Sequence, residues 1–179
     1  RPFSFRRPWG LPVRYHDVRR ILELSQPDFV EFHLSYKDLE LNPAAFLEDL
    51  PECELAVHSP DLFSGDHILN LASADPSHRK RSLEELRRTI DTAASLSQYF
   101  AGPEHPVLVV SMGGFTADRA VPVHERPAMY ERVISALQEI DHSPVQILAQ
   151  TLPPFPWYLG GQLFCNLFVD PDDTLQFSI

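Results

Sequence analysis

Short apolar segments with period two alternate along the chain with longer segments in which apolar residues recur at helical spacing. The segments that read as strands are 11–16, 28–35, 53–60, 106–114 and 144–151. The segments that read as helices are 17–24, 43–50, 76–100 and 126–140, and a last helix opens at Asp170-Pro171. This repeated strand–helix order predicts an α/β fold with a parallel sheet and right-handed crossovers.

The helical segments carry recognisable start signals and inward-facing stripes. Asp75 precedes the longest segment and suits its N-cap, and Pro43 suits a first helical position. The predicted stripes are Leu83, Leu86, Ile90, Ala93 and Ala94 in 76–100, and Met129, Val133, Leu137 and Ile140 in 126–140. Each helix therefore has one face to bury against the sheet.

The two faces of each predicted strand differ in polarity. In 28–35, Val30, Phe32 and Leu34 share one face, while Glu31 and His33 share the other. The second face of the other strands carries Arg14 and His16, Ala56 and His58, and Gln146, Leu148 and Gln150, with Ser111 at the end of 106–114. One face is thus aliphatic, and the other becomes polar toward the C-terminal strand ends.

The polarity of the second face helps to distinguish a doubly wound sheet from a barrel. A doubly wound sheet is complete with five strands, but it favours a glycine-rich turn after the first strand, and "VRYHDV" has no glycine. Polar residues at C-terminal strand ends are typical of the interior of a (β/α) barrel. We therefore predict a parallel (β/α) barrel of the TIM type with Glu31 and His33 inside it. Taken singly, His33 or His58 could equally be a core histidine with a backbone partner.

Composition and charge narrow the class of protein. The 179 residues, 44% of them hydrophobic, suit one globular domain. The net charge of −10 disfavours nucleic acid as a partner, and no apolar run approaches the roughly 20 residues of a membrane span. The N-terminal segment has no apolar core typical of a secretory signal. Cys53 and Cys165 lack metal-ligand spacing, so we expect free thiols and a cytoplasmic location.

Three stretches in order resemble the xylose-isomerase-like barrel superfamily, which holds sugar and sugar-phosphate isomerases and epimerases and the apurinic endonucleases. They are "LAVHSPDLF" (55–63), "VLVVSMGG" (107–114) and "ILAQTLPPFPW" (147–157). The stretch 10–41 more closely resembles the isomerase-like barrel that is sometimes fused behind enzymes of the sialic-acid-synthase type. The resemblance covers most of the chain.

The resemblance implies a site for a divalent metal, Mg, Mn or Zn, held by residues at the strand ends. His58 matches the family's histidine after the third strand. Ser111 stands where the endonucleases have a ligand histidine, and Gln150 where the family usually has a metal-binding glutamate. Serine and neutral glutamine are poor replacements for such ligands, which disfavours a complete endonuclease site.

Length is a second departure from the family, whose remaining ligands come from the sixth and eighth strands. An isolated five-stranded sheet would leave open edges. We therefore expect residues 1–179, which do not begin with Met, to be a single barrel domain that continues in a longer chain or completes its barrel with another.

The leading functional hypothesis is a sugar or sugar-phosphate isomerase or epimerase, with sialic-acid-type sugar biosynthesis as the candidate pathway. Such an enzyme moves a proton beside a carbonyl. The predicted site comprises Glu31 and His33 as catalytic residues, His58 and Gln150 as metal ligands, and Arg14, His16, Ser111 and Trp157 as substrate-binding residues. The expected partners are a sugar or sugar phosphate, a fused or associated synthase domain, and further copies of the chain.

Two other hypotheses stay open. The chain could be a catalytically degenerate barrel that binds a sugar or supports a larger synthase, as Ser111 and Gln150 suggest. The third hypothesis, an apurinic endonuclease-like hydrolase, is the least favoured.

Some features have both a functional and a structural reading. Arg14 and His16 could receive an anionic group or form a rim salt bridge, and Trp157 and Tyr158 could form an aromatic platform for a sugar or a packed lid. Gly113-Gly114 could admit a phosphate to backbone amides or form a tight turn.

Overall fold

The computed structural model describes residues 6–153, 156 and 158–177. Its strands are β1 (Gly10–Val13), β2 (Phe29–His33), β3 (Glu54–His58), β4 (Leu62–Phe63), β5 (His67–Ile68), β6 (Val107–Val110), β7 (Phe115–Thr116), β8 (Gln146–Ala149) and β9 (Phe164–Cys165). Its helices are α1 (Val18–Ser25), α2 (Ala44–Leu47), α3 (Pro76–Ser97), α4 (Pro127–Gln138), α5 (Tyr158–Gly161) and α6 (Pro171–Phe177). Single 3-10 turns lie at Asp38–Glu40 and Val123–Glu125.

The five predicted strands form one sheet with the order β1-β2-β3-β6-β8, in which every neighbouring pair is parallel. Spatial order follows chain order, and the α/β prediction is confirmed. Among the described strands, β1 and β8 each have one neighbour in this sheet, so the sheet is open rather than a closed barrel.

The predicted difference between the two faces of the sheet is confirmed. Val30, Phe32, Leu55 and Val57 are buried and belong to one hydrophobic core. The same core includes Val18 and Leu22 of α1, Leu86 and Ile90 of α3, and Val133 and Ala136 of α4. On the opposite face, the side chains of β2 and β6 and those of Ala56 and His58 in β3 are half-buried, whereas Glu54 of β3 and Leu148 of β8 are exposed. Helices therefore cover one face, and the polar face is accessible.

Several elements are shorter than predicted. The predicted strand 11–16 was wrong beyond Val13, because the amides of Asp17 and Val18 donate to Arg14 O and the Arg14 amide donates to Asp17 Oδ1 over 2.7 Å. Such local hydrogen bonds compete with strand pairing. Arg14 and His16 consequently lie in a turn. The predicted helix 43–50 is a single turn, since Glu48 is extended and Asp49 has a φ of +56°.

The long helix α3 follows its prediction closely. The Asp75 side chain accepts a hydrogen bond from the Ser77 amide over 2.8 Å, which confirms it as the N-cap. Leu83, Leu86, Ile90 and Ala93 are buried, whereas Ala94 is half-buried. No helix in the described part of the chain is both long and apolar enough to cross a membrane.

Two small antiparallel pairs, β4–β5 and β7–β9, lie in the segments that follow the parallel strands. The second pair is braced by Asn166, whose Nδ2 donates to Gly114 O over 2.7 Å and whose Oδ1 accepts from the Val121 amide over 2.7 Å. The β4–β5 pair is a hairpin within the segment after β3, and the β7–β9 pair joins the segments that follow β6 and β8.

Candidate functional site

Glu31, His33 and His58 meet at the C-terminal edge of the sheet and form what we call the histidine cluster. Period two places Glu31 and His33 on the same side of β2, and the β2–β3 register places His58 beside His33. Glu31 Oε1 lies 2.9 Å from His33 Nε2. The rings of His33 and His58 stack with their centroids 4.7 Å apart and their planes 13° apart. The structure thus brings together three residues that sequence reasoning selected.

The hydrogen bonds of the cluster indicate which ring nitrogens carry protons. The Glu31 carboxylate accepts from His33 Nε2, and the Ser59 carbonyl lies 3.0 Å from His58 Nδ1 and accepts from it. In its neutral form, His58 therefore keeps the lone pair on Nε2. The side chains of Glu31 and His33 are 34% and 36% exposed, so a small molecule can reach both.

Arg14 lies at the rim and is engaged by the loop after β2. Its Nη1 donates to His33 O over 3.1 Å and lies 4.0 Å from the Asp38 carboxylate, which also accepts from the amide and hydroxyl of Ser35. This arrangement matches the rim salt bridge considered above. His16 lies in the turn after β1, 3.7 Å from Asp17, with a side chain that is 76% exposed. Neither residue has a described contact with a ring of the cluster.

Ser111 and Gln150 are paired with each other. The Ser111 hydroxyl donates to Gln150 Oε1 over 2.7 Å, and the Gln150 amide continues the β6–β8 ladder by donating to Val110 O. Ser111 is buried and Gln150 is half-buried. The two positions at which the resemblance implies metal ligands thus hold a neutral hydrogen bond.

A cavity of about 360 Å³ lies beside Gln150 and is lined by Asp61, Gln150, Leu152, Tyr158, Leu159 and Gly160. Burial first, and then the negative charge of Asp61, raises the pKa of Tyr158 and that of the Cys165 thiol. Asp61 therefore adds a carboxylate to this edge of the sheet. Sequence reasoning missed it because Asp61 lies beyond β3, where period two no longer predicts direction.

The side chains at this site do not form a complete set of metal ligands. No group of three or more histidine, cysteine, aspartate or glutamate residues that could hold a metal ion is found in the described part of the chain. The oxygen of Gln150, one of the two predicted ligands, accepts from Ser111. A metal at His58 and Gln150 stays a prediction. Trp157, the predicted aromatic contact, lies outside the described residues. Cys53 and Cys165 are buried free thiols, as predicted.

Comparison with known proteins does not assign the chain. No protein family matches the sequence, and no curated protein matches it significantly. We therefore infer a function from the geometry of the site.

Proposed function

We propose that this chain is a sugar or sugar-phosphate isomerase or epimerase domain that works by acid–base proton transfer. The observation that carries the proposal is the histidine cluster. A carboxylate, an imidazole hydrogen-bonded to it and a second imidazole stacked on the first lie together on the accessible face of a parallel sheet. Groups of this kind move protons near neutral pH.

In the proposed mechanism, Glu31 transfers the carbon-bound proton and His58 transfers the hydroxyl proton. Glu31 takes the proton from the carbon beside the substrate carbonyl, the electrons of the broken C–H bond form the C=C bond of an enediolate, and the π electrons of the carbonyl move onto its oxygen. Glu31 then returns the proton to the neighbouring carbon. His58 Nε2 accepts the proton of the adjacent hydroxyl and delivers it to the original carbonyl oxygen. His33 orients Glu31 through the 2.9 Å contact. Atoms and charge balance over the cycle.

The strand order supports a barrel as the complete architecture. In a doubly wound sheet the strand order reverses at a switch point, which is where the ligand binds. Here the order β1-β2-β3-β6-β8 runs in one direction, and the cluster lies at the C-terminal ends of strands, as in TIM-type barrels. We infer a xylose-isomerase-like barrel that acts in sugar metabolism, with the sialic-acid type as the candidate pathway.

A second candidate function is sugar binding without turnover, in a degenerate barrel that supports a synthase. The Ser111–Gln150 hydrogen bond favours it, because these neutral side chains occupy positions where the resembled family has metal ligands. The third hypothesis, an endonuclease, gains no support, since the net charge of −10 opposes binding to DNA.

The test is deuterium exchange in D₂O, followed by proton NMR on a panel of aldoses, ketoses and their phosphates. We expect wild-type protein to exchange the proton beside the carbonyl and Glu31→Gln to do so about a hundredfold more slowly. Glu23→Gln, on the exposed face of α1, is the matched control and should keep the wild-type rate. Saturation-transfer signals from a sugar without exchange would favour the second candidate. If the protein neither exchanges the proton nor binds a sugar, both candidate functions are refuted.

A further inference from the structure

A second cavity, away from the histidine cluster, lies between α4 and the loops after β5 and β6. Its volume is about 550 Å³. Its lining residues include Asn70, Ser73, Phe115, Val121, Glu125, Met129 and Arg132. None of them belongs to the histidine cluster or lines the cavity beside Gln150. Apolar side chains supply much of the wall, and the charged lining residues are Arg132 and Glu125.

Arg132 is held in place while most of its donors stay available. Its Nε donates to Ala72 O over 2.7 Å, and the side chain is half-buried. Nη1 and Nη2 have no acceptor and no ion-pair partner among the described residues. An anchored guanidinium that presents two parallel donors matches the two oxygens of a carboxylate or phosphate.

Two further donors line the same cavity. Asn70 Oδ1 accepts from the Gly114 amide over 2.9 Å, which leaves Nδ2 as a donor without an acceptor in the described part of the chain. Ser73 Oγ accepts from the Asp75 amide over 3.2 Å and has no described acceptor for its own proton. The cavity is therefore lined by several donors that no described residue uses.

The Gly113-Gly114 turn explains how Asn70 reaches this position. Both glycines have positive φ, and a Cβ at Gly113 would lie 2.3 Å from Asn70 Oδ1. The Gly114 amide is used by Asn70, so the turn does not itself present that amide to a phosphate. It positions Asn70 instead.

We propose that this cavity binds a small molecule that carries an oxyanion, a carboxylate or a phosphate, on an apolar body. The oxyanion lies on Nη1 and Nη2 of Arg132, with Asn70 Nδ2 and the Ser73 hydroxyl as additional donors. The body packs against Phe115, Val121 and Met129. Glu125, whose side chain is 55% exposed, lies at the rim and weakens anion binding by repulsion.

The test is an NMR titration of the full ¹⁵N-labelled chain with phenyl phosphate and, separately, with benzoate at constant ionic strength. We expect saturable shifts at Asn70, Ser73 and Arg132 Nε. Arg132→Gln should bind about tenfold or more weakly, because a charged hydrogen-bond pair is lost. Arg87→Gln is the matched control. This substitution removes the same charge and also a hydrogen bond to the carbonyl of Glu139, but Arg87 does not line the cavity. It should bind like wild type.

Glu125→Gln keeps the Arg132 anchor and should bind both anions more tightly, since a repelling charge is gone. If Arg132→Gln fails to fold, binding by Glu125→Gln tests the proposed oxyanion site instead. If only one probe gives saturable shifts, the cavity binds that class of oxyanion. If both do, the cavity accepts a phosphate or a carboxylate. Absence of saturable shifts at these residues with both probes overturns the proposal, as does unchanged or weaker binding by Glu125→Gln. Because the probes are not sugars, neither result depends on the isomerase proposal.

Discussion

The imidazole rings of His33 and His58 stack on each other across two adjacent parallel strands, with centroids 4.7 Å apart. The stack exists because both residues end their strands and are direct partners in the β2–β3 register. It joins the Glu31–His33 pair to the ring whose Nε2 is available for chemistry. The stack therefore links a structural contact to the proposed proton transfers, and the two can be separated by mutation.

Replacing His58 with phenylalanine keeps a ring to stack on His33 but removes the nitrogen lone pair. We expect the free energy of unfolding to fall by only about 1 kcal/mol, since the ring contact persists and the loss is that of the hydrogen bond from Nδ1 to Ser59 O. The deuterium exchange rate should fall about a hundredfold, because a positioned base is lost. Chemical denaturation and the NMR exchange assay measure the two effects. His124→Phe, at an exposed histidine, is the control, and equal exchange rates for both variants would remove His58 from the mechanism.

The buried His67 makes stability depend on pH. Its Nε2 lies 3.1 Å from Ser82 Oγ, and its ring centroid lies 4.4 Å from that of His78. Burial first, and then the charges of His78 and Arg81, lowers the pKa of His67 from 6.5 to about 4. Between these values the unfolded chain binds the proton and the folded chain does not. His67 therefore makes the free energy of unfolding fall with decreasing pH, by at most about 1.4 kcal/mol per unit.

Urea denaturation at pH 7 and pH 5 measures this dependence. His67→Gln should lose less stability than wild type over that interval, because the titrating group is gone and the amide can still pair with Ser82. His124→Gln, with a side chain that is 81% exposed, should behave like wild type. The same loss in His67→Gln as in wild type would show that other groups carry the pH dependence.

The N-cap of α3 offers a test of local stability. Asp75 Oδ1 accepts from the amide and the hydroxyl of Ser77, each over 2.8 Å. Asp75→Ala should lower the free energy of unfolding by about 1 kcal/mol, because an amide at the helix start loses its acceptor. Asp91→Ala, at an exposed position within α3, should be neutral or slightly stabilising, since alanine is the better helix former. Thermal or urea denaturation compares the two.

The Gly113 position tests the turn that supports Asn70. An alanine there would have a φ of +94° and a Cβ 2.5 Å from Asn70 Cα as well as 2.3 Å from its Oδ1. We expect Gly113→Ala to cost about 2 kcal/mol or more, from strain and displacement of Asn70. Gly160→Ala is a matched control, since Gly160 also has a positive φ but an added Cβ has no atom within 4 Å. It should cost only about 1 kcal/mol, and equal losses would show that backbone strain alone matters at Gly113.

Local patterns were sufficient for much of the fold. The alternation of strands and helices, the Asp75 cap and the aliphatic face of each strand follow from period and from neighbouring residues. They were predicted because they depend on contacts within a few residues. The errors were also local: the Asp17 side chain ends β1 early, and the positive φ of Asp49 follows the single turn of α2.

The sequence by itself determined that Glu31 and His33 lie on the same face of β2, because side-chain direction in a strand has period two. Only the tertiary structure decided that His58 stacks on His33, that Asp61 faces Tyr158 and that Arg132 reaches Ala72. Those relations depend on register and loop packing between segments far apart in the chain. Register is set by hydrogen bonds and packing summed over whole elements, and no single stretch of sequence contains that information.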